Sequence, residues 1–301
     1  MMTIGAEAIA AKGWLLAHKW LILRRAVQFG ILGVFLLGPL ASVWIVRGNL
    51  SYSLTLGVLP LTDPYLLLQS LVTGHLPETI GLVGGAIVLA FYVLVGGRSF
   101  CAWVCPINPV TDVASGIRRW LKIKGGAQFS RATRYWILAV TLLVSVLTGS
   151  IAWEWINPVS MLHRGLFFGI GASWMIILAI FLFDIFVAKN AWCGRLCPVG
   201  AFYSLLGHRS LVRISATQRL ACNDCMDCFE ICPEPQVIRP ALKGAGKISP
   251  LILSSNCTNC GRCIDVCSKD VFNFGLRFNY SLENKTQQKE PPSVQSVVGS
   301  K

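Results

Sequence analysis

The twelve cysteines of this 301-residue chain all fall into spaced motifs. Eight of them form two copies of a Cys-x2-Cys-x2-Cys-x3-Cys run, at 222–232 and at 257–267. In such runs three thiolates hold one [4Fe–4S] cluster, and the fourth, which follows a longer step, reaches a second cluster. The spacing therefore predicts two clusters with interlocking ligands. The predicted sets are Cys222, Cys225, Cys228 and Cys267 for one cluster, and Cys257, Cys260, Cys263 and Cys232 for the other.

Other uses of these eight cysteines agree less well with the pattern. Structural zinc takes four ligands in two separated pairs, which the close triads do not resemble. A disulfide framework requires an oxidising compartment, whereas the charge pattern described below predicts the cytoplasmic side. Two [4Fe–4S] clusters are therefore the interpretation that the spacing favours.

The other four cysteines form two Cys-x3-Cys-Pro motifs, CAWVCP and CGRLCP. A separation of four residues places Cys101 and Cys105, or Cys193 and Cys197, on one face of a helix. If the two motifs are symmetric, the four sulfurs could converge on one iron or on a further iron–sulfur centre. Two alternatives stay open, namely reduced, buried thiols that only pack, or a dithiol redox pair.

The rest of the chain has the composition of a membrane protein. Hydrophobic residues make up 54% of the sequence, charged residues 14%, and the mean hydropathy is +0.59. A membrane-crossing helix needs about 20 mainly apolar residues. Four stretches are long and apolar enough to cross a membrane, which is hard to reconcile with buried helices of a soluble protein. They are Val27–Val46, Thr79–Gly97, Tyr135–Trp153 and Leu166–Val187.

The basic residues predict how these spans are oriented. Lys and Arg outnumber Asp and Glu by 27 to 14. Seven lie between the second and third spans and fourteen after the fourth, whereas the loops after the first and third spans hold one each. Since short loops rich in Lys and Arg stay in the cytoplasm, we expect a multi-pass protein of the inner membrane with both termini and the clusters on the cytoplasmic side. The same distribution argues against nucleic-acid binding, which needs a basic soluble face.

An internal repeat organises the membrane part. Each half contains a span, an outer segment with Asp63–Pro64 or Asn157–Pro158, a second span and a Cys-x3-Cys-Pro motif. We therefore expect an all-α membrane domain of four transmembrane helices in two pseudo-repeats, followed by a small α+β two-cluster ferredoxin-like domain. The N-terminus has no signal-peptide pattern, so no cleaved signal is expected. The predicted boundaries are a cytoplasmic segment 1–26, the membrane domain 27–212, the ferredoxin-like domain 213–280 and a disordered tail 281–301.

The four spans, the motifs CAWVCP and CGRLCP, and the C-terminal pair of ferredoxin runs resemble the NapH-type quinol dehydrogenase membrane subunits of periplasmic nitrate reductase systems. The resemblance extends from about Arg24 to Phe278. It implies that the chain oxidises ubiquinol or menaquinol from the membrane quinol pool. It also implies that the electrons pass to an exported ferredoxin-type subunit and then to a periplasmic reductase or cytochrome.

A quinol releases protons when it is oxidised, so a proton acceptor near its head group is expected. Ionisable residues at or inside the membrane are candidates because they are costly there. Those of the outer loops and the last span are Asp63, His75, Glu78, Glu154, His163, Arg164 and Asp184. The predicted candidates among them are Glu154, His163, His75 and Asp184. The alternative is that these are ordinary polar residues of loops.

Two other functions are weighed against quinol oxidation. An assembly or regulatory factor for a metalloenzyme would use the clusters to reduce a metal or to sense redox state, without quinol turnover. A transporter is disfavoured because the spans hold so few charged residues. An exported ferredoxin and a reductase encoded beside this chain would favour quinol oxidation over the assembly or regulatory role.

Overall fold

The computed structural model describes residues 4–123, 125–169, 171, 173–244 and 249–278. The predicted tail at 281–301 lies outside these residues. The described chain is mainly helical. Its helices are α1 (Ala6–Lys12), α2 (Trp14–Ala17), α3 (Lys19–Ala41), α4 (Pro64–Val72), α5 (Thr79–Val95), α6 (Ser99–Trp103), α7 (Ile107–Trp120), α8 (Thr133–Thr148), α9 (Pro158–Phe168), α10 (Ser173–Phe186), α11 (Pro198–Leu206), α12 (Asp227–Ile231), α13 (Ile238–Lys243) and α14 (Arg262–Asp265). Its strands are β1 (Val46–Gly48), β2 (Tyr52–Thr55), β3 (Leu59–Thr62), β4 (Val212–Ser215) and β5 (Asn273–Leu276).

Internal contacts divide the described chain into two units. The helical unit comprises Leu21–Leu211 and Ser255–Cys260, and it holds helices α4 to α11 and most of α3. The terminal unit comprises Val212–Ser254 together with the described residues up to Trp20 and from Gly261 onwards. Residues 4–20 of the N-terminal segment, predicted as a region of its own over 1–26, thus join the unit formed by the C-terminal part of the chain, and residues 21–26 belong to the helical unit.

Specific contacts hold the N-terminal segment in the terminal unit. The Gly5 N–H donates to the Asp227 carboxylate at 2.8 Å, and the Trp20 N–H donates to that of Asp265 at 3.1 Å. The Trp20 ring also packs edge-on against Phe274, with 4.6 Å between the ring centroids. Strands β4 and β5 pair antiparallel in the same unit, which agrees with the small α+β domain that we expected.

Helix α3 is the one described helix that is long and apolar enough to cross a membrane, with 23 residues. The other three predicted spans coincide with shorter apolar helices, α5, α8 and α10, of 17, 16 and 14 residues. At about 1.5 Å per residue, the shortest of them does not reach across a hydrocarbon core of about 30 Å. One candidate membrane helix is therefore shown, and the four-span arrangement stays a prediction.

Glycines interrupt two of the predicted helical runs, near the end of Tyr135–Trp153 and near the start of Leu166–Val187. The apolar sequence continues through Gly149 and Gly169, which have φ angles of 63° and 92° and end α8 and α9. Glycine adopts positive φ without strain, so it commonly ends a helix. Trp153 consequently lies in a short 3₁₀ turn and Leu166 in α9 rather than α10. Val46, the predicted end of the first span, begins strand β1.

The helical unit is not all-α as predicted, since it contains a three-stranded antiparallel sheet. Strands β1, β2 and β3 follow one another along the chain, and Tyr52 pairs with Thr62. The Asn49 side chain accepts hydrogen bonds from the N–H groups of Ser51 and Tyr52 at 2.8 and 2.9 Å, which stabilises the first turn. Polar and apolar residues alternate from Ser51 to Thr55, a pattern that favours a strand. The sequence analysis had placed this segment in a loop.

Strand β3 packs closely against α5, and we expect Gly84→Ala to destabilise this contact. A Cβ atom at Gly84 would lie 2.8 Å from Thr62 Oγ1 and 3.1 Å from the Pro60 carbonyl. Overpacking of this kind costs about 1–3 kcal/mol. Gly33→Ala in α3 is the matched control, since a Cβ there meets nothing within 4 Å. Thermal unfolding should show a lower midpoint for Gly84→Ala only, and equal midpoints would contradict the close packing.

The predicted repeat is visible in the order of the elements. In each half, a long helix (α3 or α8) precedes a short one (α4 or α9), then an apolar helix (α5 or α10), a Cys-x3-Cys-Pro motif and a further helix (α7 or α11). The short helices begin alike. The Asp63 side chain accepts from the Tyr65 N–H at 2.9 Å, and the Asn157 side chain accepts from the Val159 N–H at 3.1 Å. With a proline in each first turn, Asp63 and Asn157 are equivalent N-caps.

Candidate functional site

The terminal unit gathers one of the predicted ligand sets. The side chains of Cys222, Cys225, Cys228 and Cys267 line a single small cavity. Cys228 lies in α12, and the other three lie in the loops around it. The structure therefore brings together the four sulfurs that the interlocking spacing assigns to one cluster, although Cys267 is distant from the other three along the chain.

Two residues with positive φ angles shape the loop of each ferredoxin run. They are Asp224 and Met226 in the first run, with φ of 59° and 65°, and Asn259 and Gly261 in the second, with φ of 47° and 73°. Left-handed residues on both sides of the second cysteine make the chain turn tightly. The same backbone bend thus recurs in both runs, as expected for two loops that bind the same kind of group.

Crowding of the four cysteines in the terminal unit makes their ionised, thiolate form unfavourable without a cation. Burial, together with the neighbouring thiols of Cys225, Cys222 and Cys267, raises the pKa of Cys228 to about 12. A coordinating thiol is deprotonated by its metal, so bound iron would reverse this effect. The donor set therefore fits a [4Fe–4S] cluster, for which four thiolates are the usual ligands.

The second predicted ligand set is divided between the two units. Cys260 and Cys263 are buried, whereas Cys257 and Cys232 are partly exposed. Contacts assign Cys257 and Cys260 to the helical unit, and Cys232 and Cys263 to the terminal unit. Their role as ligands of one cluster stays a prediction from the spacing.

A second cavity, inside the helical unit, is lined by all four cysteines of the Cys-x3-Cys-Pro motifs. Cys101 lies in α6, and Cys193 lies in a π-helical turn, Trp192–Leu196. Cys105 lies just before α7, and Cys197 is the N-cap of α11. The convergence considered from the sequence is thus present, although the two motifs belong to different halves of the chain. We refer to this space as the four-cysteine cavity.

The spacing of the four cysteines around this cavity can be compared with the ligand spacing around a single metal ion and around a [4Fe–4S] cluster. Among the described residues, no three His, Cys, Asp or Glu side chains lie close enough together to surround one metal ion. In a [4Fe–4S] cluster each thiolate binds a different iron, so the ligands lie further apart than around a single ion. Four soft sulfur donors around one cavity are a set suited to such a cluster.

Four helices have N-terminal residues that line the four-cysteine cavity. They are Asp63 for α4, Ile107 for α7, Pro158 for α9 and Val199 for α11. The backbone N–H groups of Ile107 and Val199 act against burial and lower the pKa of Cys105 and Cys197, respectively. Helix N-termini carry partial positive charge and unpaired N–H groups, which favour anions. The helix ends therefore stabilise thiolates and any anionic group that the thiolates hold.

Two buried arginines add positive charge beside the same cavity. Arg98 and Arg134 expose only 2% and 0% of their surface. Arg98 donates to the carbonyls of Cys193 and Asn256 at 2.9 and 2.8 Å. Arg134 donates to the Gly194 carbonyl at 3.4 Å and to the Asn256 side chain. Both cations therefore hold the backbone of the second motif in place.

Burial raises the pKa of all four thiols in this cavity. Arg98 offsets part of this rise for Cys101, because the positive charge of the nearby guanidinium favours the thiolate and lowers its pKa. The sequence analysis counted Arg98 and Arg134 only as loop charges and so missed both. The sequence did contain one indication that Arg98 belongs to the site, because this residue lies three positions before Cys101.

The two histidines among the predicted proton acceptors lie away from the four-cysteine cavity. His75 is exposed, and its Nδ1 is 3.3 Å from Thr73 Oγ1. His163 is buried in α9, stacked on Phe167 at 4.2 Å and edge-on to Phe35 at 5.5 Å between ring centroids. Neither lines the cavity, and their use in proton transfer stays a prediction.

The two carboxylates among those candidates have structural partners. Glu154 accepts from Asn157 Nδ2 at 3.0 Å and lies 3.9 Å from Arg164. Asp184 is fully buried and accepts from the Trp192 N–H at 3.1 Å. Glu154 thus supports the α9 cap, and Asp184 anchors the π-helical turn of the second motif. Neither lines the four-cysteine cavity.

Comparison with known families matches both kinds of cysteine motif. A family described as "4Fe-4S binding domain" matches residues 78–124 and 170–215, the two Cys-x3-Cys-Pro halves. A family described as "4Fe-4S dicluster domain" matches residues 221–271, the two ferredoxin runs. Fold and sites together define the class, an iron–sulfur electron-transfer protein of the ferredoxin type.

Similarity to individual proteins identifies the family within this class. The chain is 55% identical over 272 residues to the methylamine utilization ferredoxin-type protein MauN of Methylorubrum extorquens. This alignment covers 90% of this chain and 94% of that protein. It is 49% identical over 276 residues to the ferredoxin-type protein NapH of Escherichia coli, with coverages of 91% and 96%. NapH of Haemophilus influenzae is 48% identical over 279 residues, with coverages of 93% and 97%. The chain belongs to this family of NapH and MauN ferredoxin-type proteins, as the motifs predicted. No solved structure matches it.

Proposed function

We propose that this protein oxidises quinol in the membrane and passes the electrons through iron–sulfur centres to a redox partner. The observation that carries the proposal is the four-cysteine cavity, which lies in the helical unit together with the candidate membrane helix α3. Quinols are confined to the membrane, so a relay that begins in this unit meets them there. Iron–sulfur clusters carry single electrons and can therefore divide the two electrons of a quinol between them.

The cysteines of the four-cysteine cavity would hold a third centre, in addition to the two predicted from the ferredoxin runs. Four thiols, four helix N-termini and the buried Arg98 and Arg134 form surroundings suited to an anionic [4Fe–4S] cluster. The match of both motif halves to a 4Fe-4S binding domain supports the same cofactor. The two other readings of these cysteines, packing thiols and a dithiol pair, do not account for the charge around them.

Hydrogen bonds join this cavity to the second ferredoxin run within the helical unit. Arg98, which holds the second motif, also donates to the carbonyl of Asn256, the residue before Cys257. Trp103 of the first motif donates through Nε1 to the Asn259 carbonyl at 3.0 Å. These bonds keep the Cys257 loop near the four-cysteine cavity, which supports an electron path between them.

We keep the four-span arrangement, with both termini in the cytoplasm, as part of the proposal. Of the seven basic residues between the second and third predicted spans, Arg98, Arg118 and Arg134 are buried and support local structure. Lys122 and Arg131 of the same segment are exposed. The exposed basic residues of this segment therefore still outnumber the single basic residue of each outer loop, as expected for a segment in the cytoplasm.

The proposed acceptor is an exported ferredoxin-type subunit that serves a periplasmic reductase or cytochrome. The resemblance noted from the motifs favours a nitrate-reductase-type system. One relative, however, is named for methylamine utilization, and its 55% identity is close to the 49% of NapH. Both types of system are therefore to be tested as acceptors of electrons from the quinol-reduced protein.

Iron and acid-labile sulfide analysis provides the test of this proposal. In protein purified without oxygen, three clusters predict about twelve irons per chain, and a quinol analogue should reduce them as followed by EPR. About eight irons that the quinol reduces would remove the third centre but keep the relay. Clusters that respond only to dithionite would favour the assembly or regulatory role. Few or no irons would overturn the cluster assignment.

A further inference from the structure

An apolar cavity of about 640 Å³ lies in the helical unit, lined by α3, the β1–β3 sheet and α5. Its size falls within the range of about 300–1,000 Å³ that is typical of small-molecule sites. Most of its lining is aliphatic or aromatic. The polar side chains are those of Ser53, Thr55, Thr62, Asp63, Tyr92 and Tyr203. An apolar pocket with a few polar groups is suited to a mainly apolar ligand.

The lining of this cavity includes exposed and buried residues. Gly30 on α3 and Ile87 and Phe91 on α5 are exposed, whereas Tyr92 and Tyr203 are buried. Since α3 is the candidate membrane helix, the exposed lining is the side from which a lipid-soluble ligand would enter. The phenol groups lie at the buried end.

Asp63 stands between the apolar cavity and the four-cysteine cavity. Leu50, Asp63 and Phe100 line both of them. The Asp63 carboxylate caps α4 by accepting from the Tyr65 N–H, and it shares the lining of the apolar cavity with Tyr203. A ligand in the apolar cavity would therefore lie next to the four thiols, with one carboxylate at the boundary.

We infer that the apolar cavity binds the head group of an isoprenoid quinol, with a ring hydroxyl donating to Asp63. The inference rests on the proposed function and locates its substrate. A quinol ring has apolar faces, which match walls such as Phe91 and Phe100, and hydroxyls at its edges, one of which meets the carboxylate. Its isoprenoid tail leaves past the exposed lining of α3 and α5. A lipid acyl chain, by contrast, has no group to pair with the carboxylate.

The location differs from the sites considered from the sequence. None of the predicted acceptors lines the apolar cavity, whose lining excludes Glu154, His163, His75 and Asp184. Asp63 was one of several ionisable residues noted on the outer loops. Its equivalent in the second repeat is the uncharged Asn157, so the carboxylate itself is not required to cap the helix.

A pair of glycine variants on α3 tests the pocket. Gly30 lines it and Gly33 does not, and a Cβ at either position meets nothing within 4 Å. Gly30→Leu should therefore fill the cavity without disturbing the helix, and Gly33→Leu is the matched control. With a short-chain ubiquinone as the probe and detergent-purified holoprotein, we expect Gly30→Leu to weaken binding about tenfold or more and Gly33→Leu to leave it unchanged.

Asp63→Asn tests the polar contact. Asparagine keeps an N-cap acceptor, as Asn157 does in the second repeat, but it lacks the charge. We expect the iron content to be retained and ubiquinol binding to weaken about tenfold. Binding of ubiquinone should not weaken, because its ring carbonyls have no hydrogen to donate to Asp63. A photoreactive azido-ubiquinone should label residues of α3, α5 or the β1–β3 sheet in the wild-type protein, and Gly30→Leu should abolish that labelling.

The possible results distinguish a failure of this binding site from a failure of the proposed quinol oxidation. Binding that is equal in Gly30→Leu and Gly33→Leu, or a label on other segments, would overturn the site even if quinol reduces the clusters. Ubiquinone binding that depends on Gly30, with ubiquinol binding that depends on Asp63, supports the site even if the clusters are not reduced, in which case only the proposed quinol oxidation fails. Occupation by phospholipid that ubiquinone cannot displace would also overturn it.

Discussion

Cys193→Ser is expected to remove about four irons per chain and to slow the reduction of the ferredoxin clusters by quinol about 10–100-fold. The serine hydroxyl does not replace a thiolate, and Cys193 is one of four sulfurs that line the four-cysteine cavity. The remaining clusters should still be reduced by dithionite, because they do not depend on this cavity. Iron analysis combined with EPR after rapid mixing with a quinol analogue measures both effects.

Other cysteine variants provide the controls. Cys101→Ser, in the first repeat, should reproduce the effect, and the double variant should lose no more iron than either single one, because all belong to one centre. Cys222→Ser lies in the other cavity, so it should lose iron while quinol still reduces the centre in the helical unit. An unchanged iron content and unchanged quinol reduction in Cys193→Ser would show that these cysteines only pack.

Arg98→Gln is expected to destabilise the fold by about 3 kcal/mol and to lower the iron content of the helical unit. The guanidinium is buried and donates to the carbonyls of Cys193 and Asn256. Its loss leaves two partly buried acceptors without their charged donor and removes a positive charge beside the thiols. Thermal unfolding and iron analysis of the same sample measure the two effects.

Lys122→Gln is the matched control, since it removes one positive charge from the same segment at an exposed position. It should change neither the midpoint nor the iron content. Arg98→Lys should recover the charge but not both hydrogen bonds, because an ammonium lacks the planar fork of a guanidinium. If Arg98→Gln behaved like Lys122→Gln, the cation would have no part in holding the site.

The cysteine motifs show that spacing along the chain can predict which cysteines lie together in the fold. The interlocking assignment placed Cys267 with the first run, and the structure brings its sulfur to the cavity of Cys222, Cys225 and Cys228. The assignment was possible because ligand geometry around a cluster imposes the spacing directly on the chain. The paired caps Asp63 and Asn157 were likewise visible in the sequence as a repeated Asx-Pro step.

The membrane part shows where hydropathy misleads. The residues around Gly149 and Gly169 are apolar enough to extend a predicted span, but positive φ angles end the helices there. The segment from Val46 to Thr62 forms a sheet against α5. A count of apolar residues records neither the backbone conformation of a glycine nor the partner that a short strand will find.

The sequence by itself determined the kinds of group that this protein can bind, because cysteine spacing, helix caps and the repeat depend on neighbours along the chain. Only the tertiary structure decided which distant residues share a cavity. Arg98 looks like a solvated loop charge in the sequence, and its burial follows from contacts with the other half of the chain. Asp63 has the sequence signature of a helix cap, and its place between two cavities follows from the packing of α3, the sheet and α5. Such contacts join residues far apart in the chain, and no local pattern encodes them.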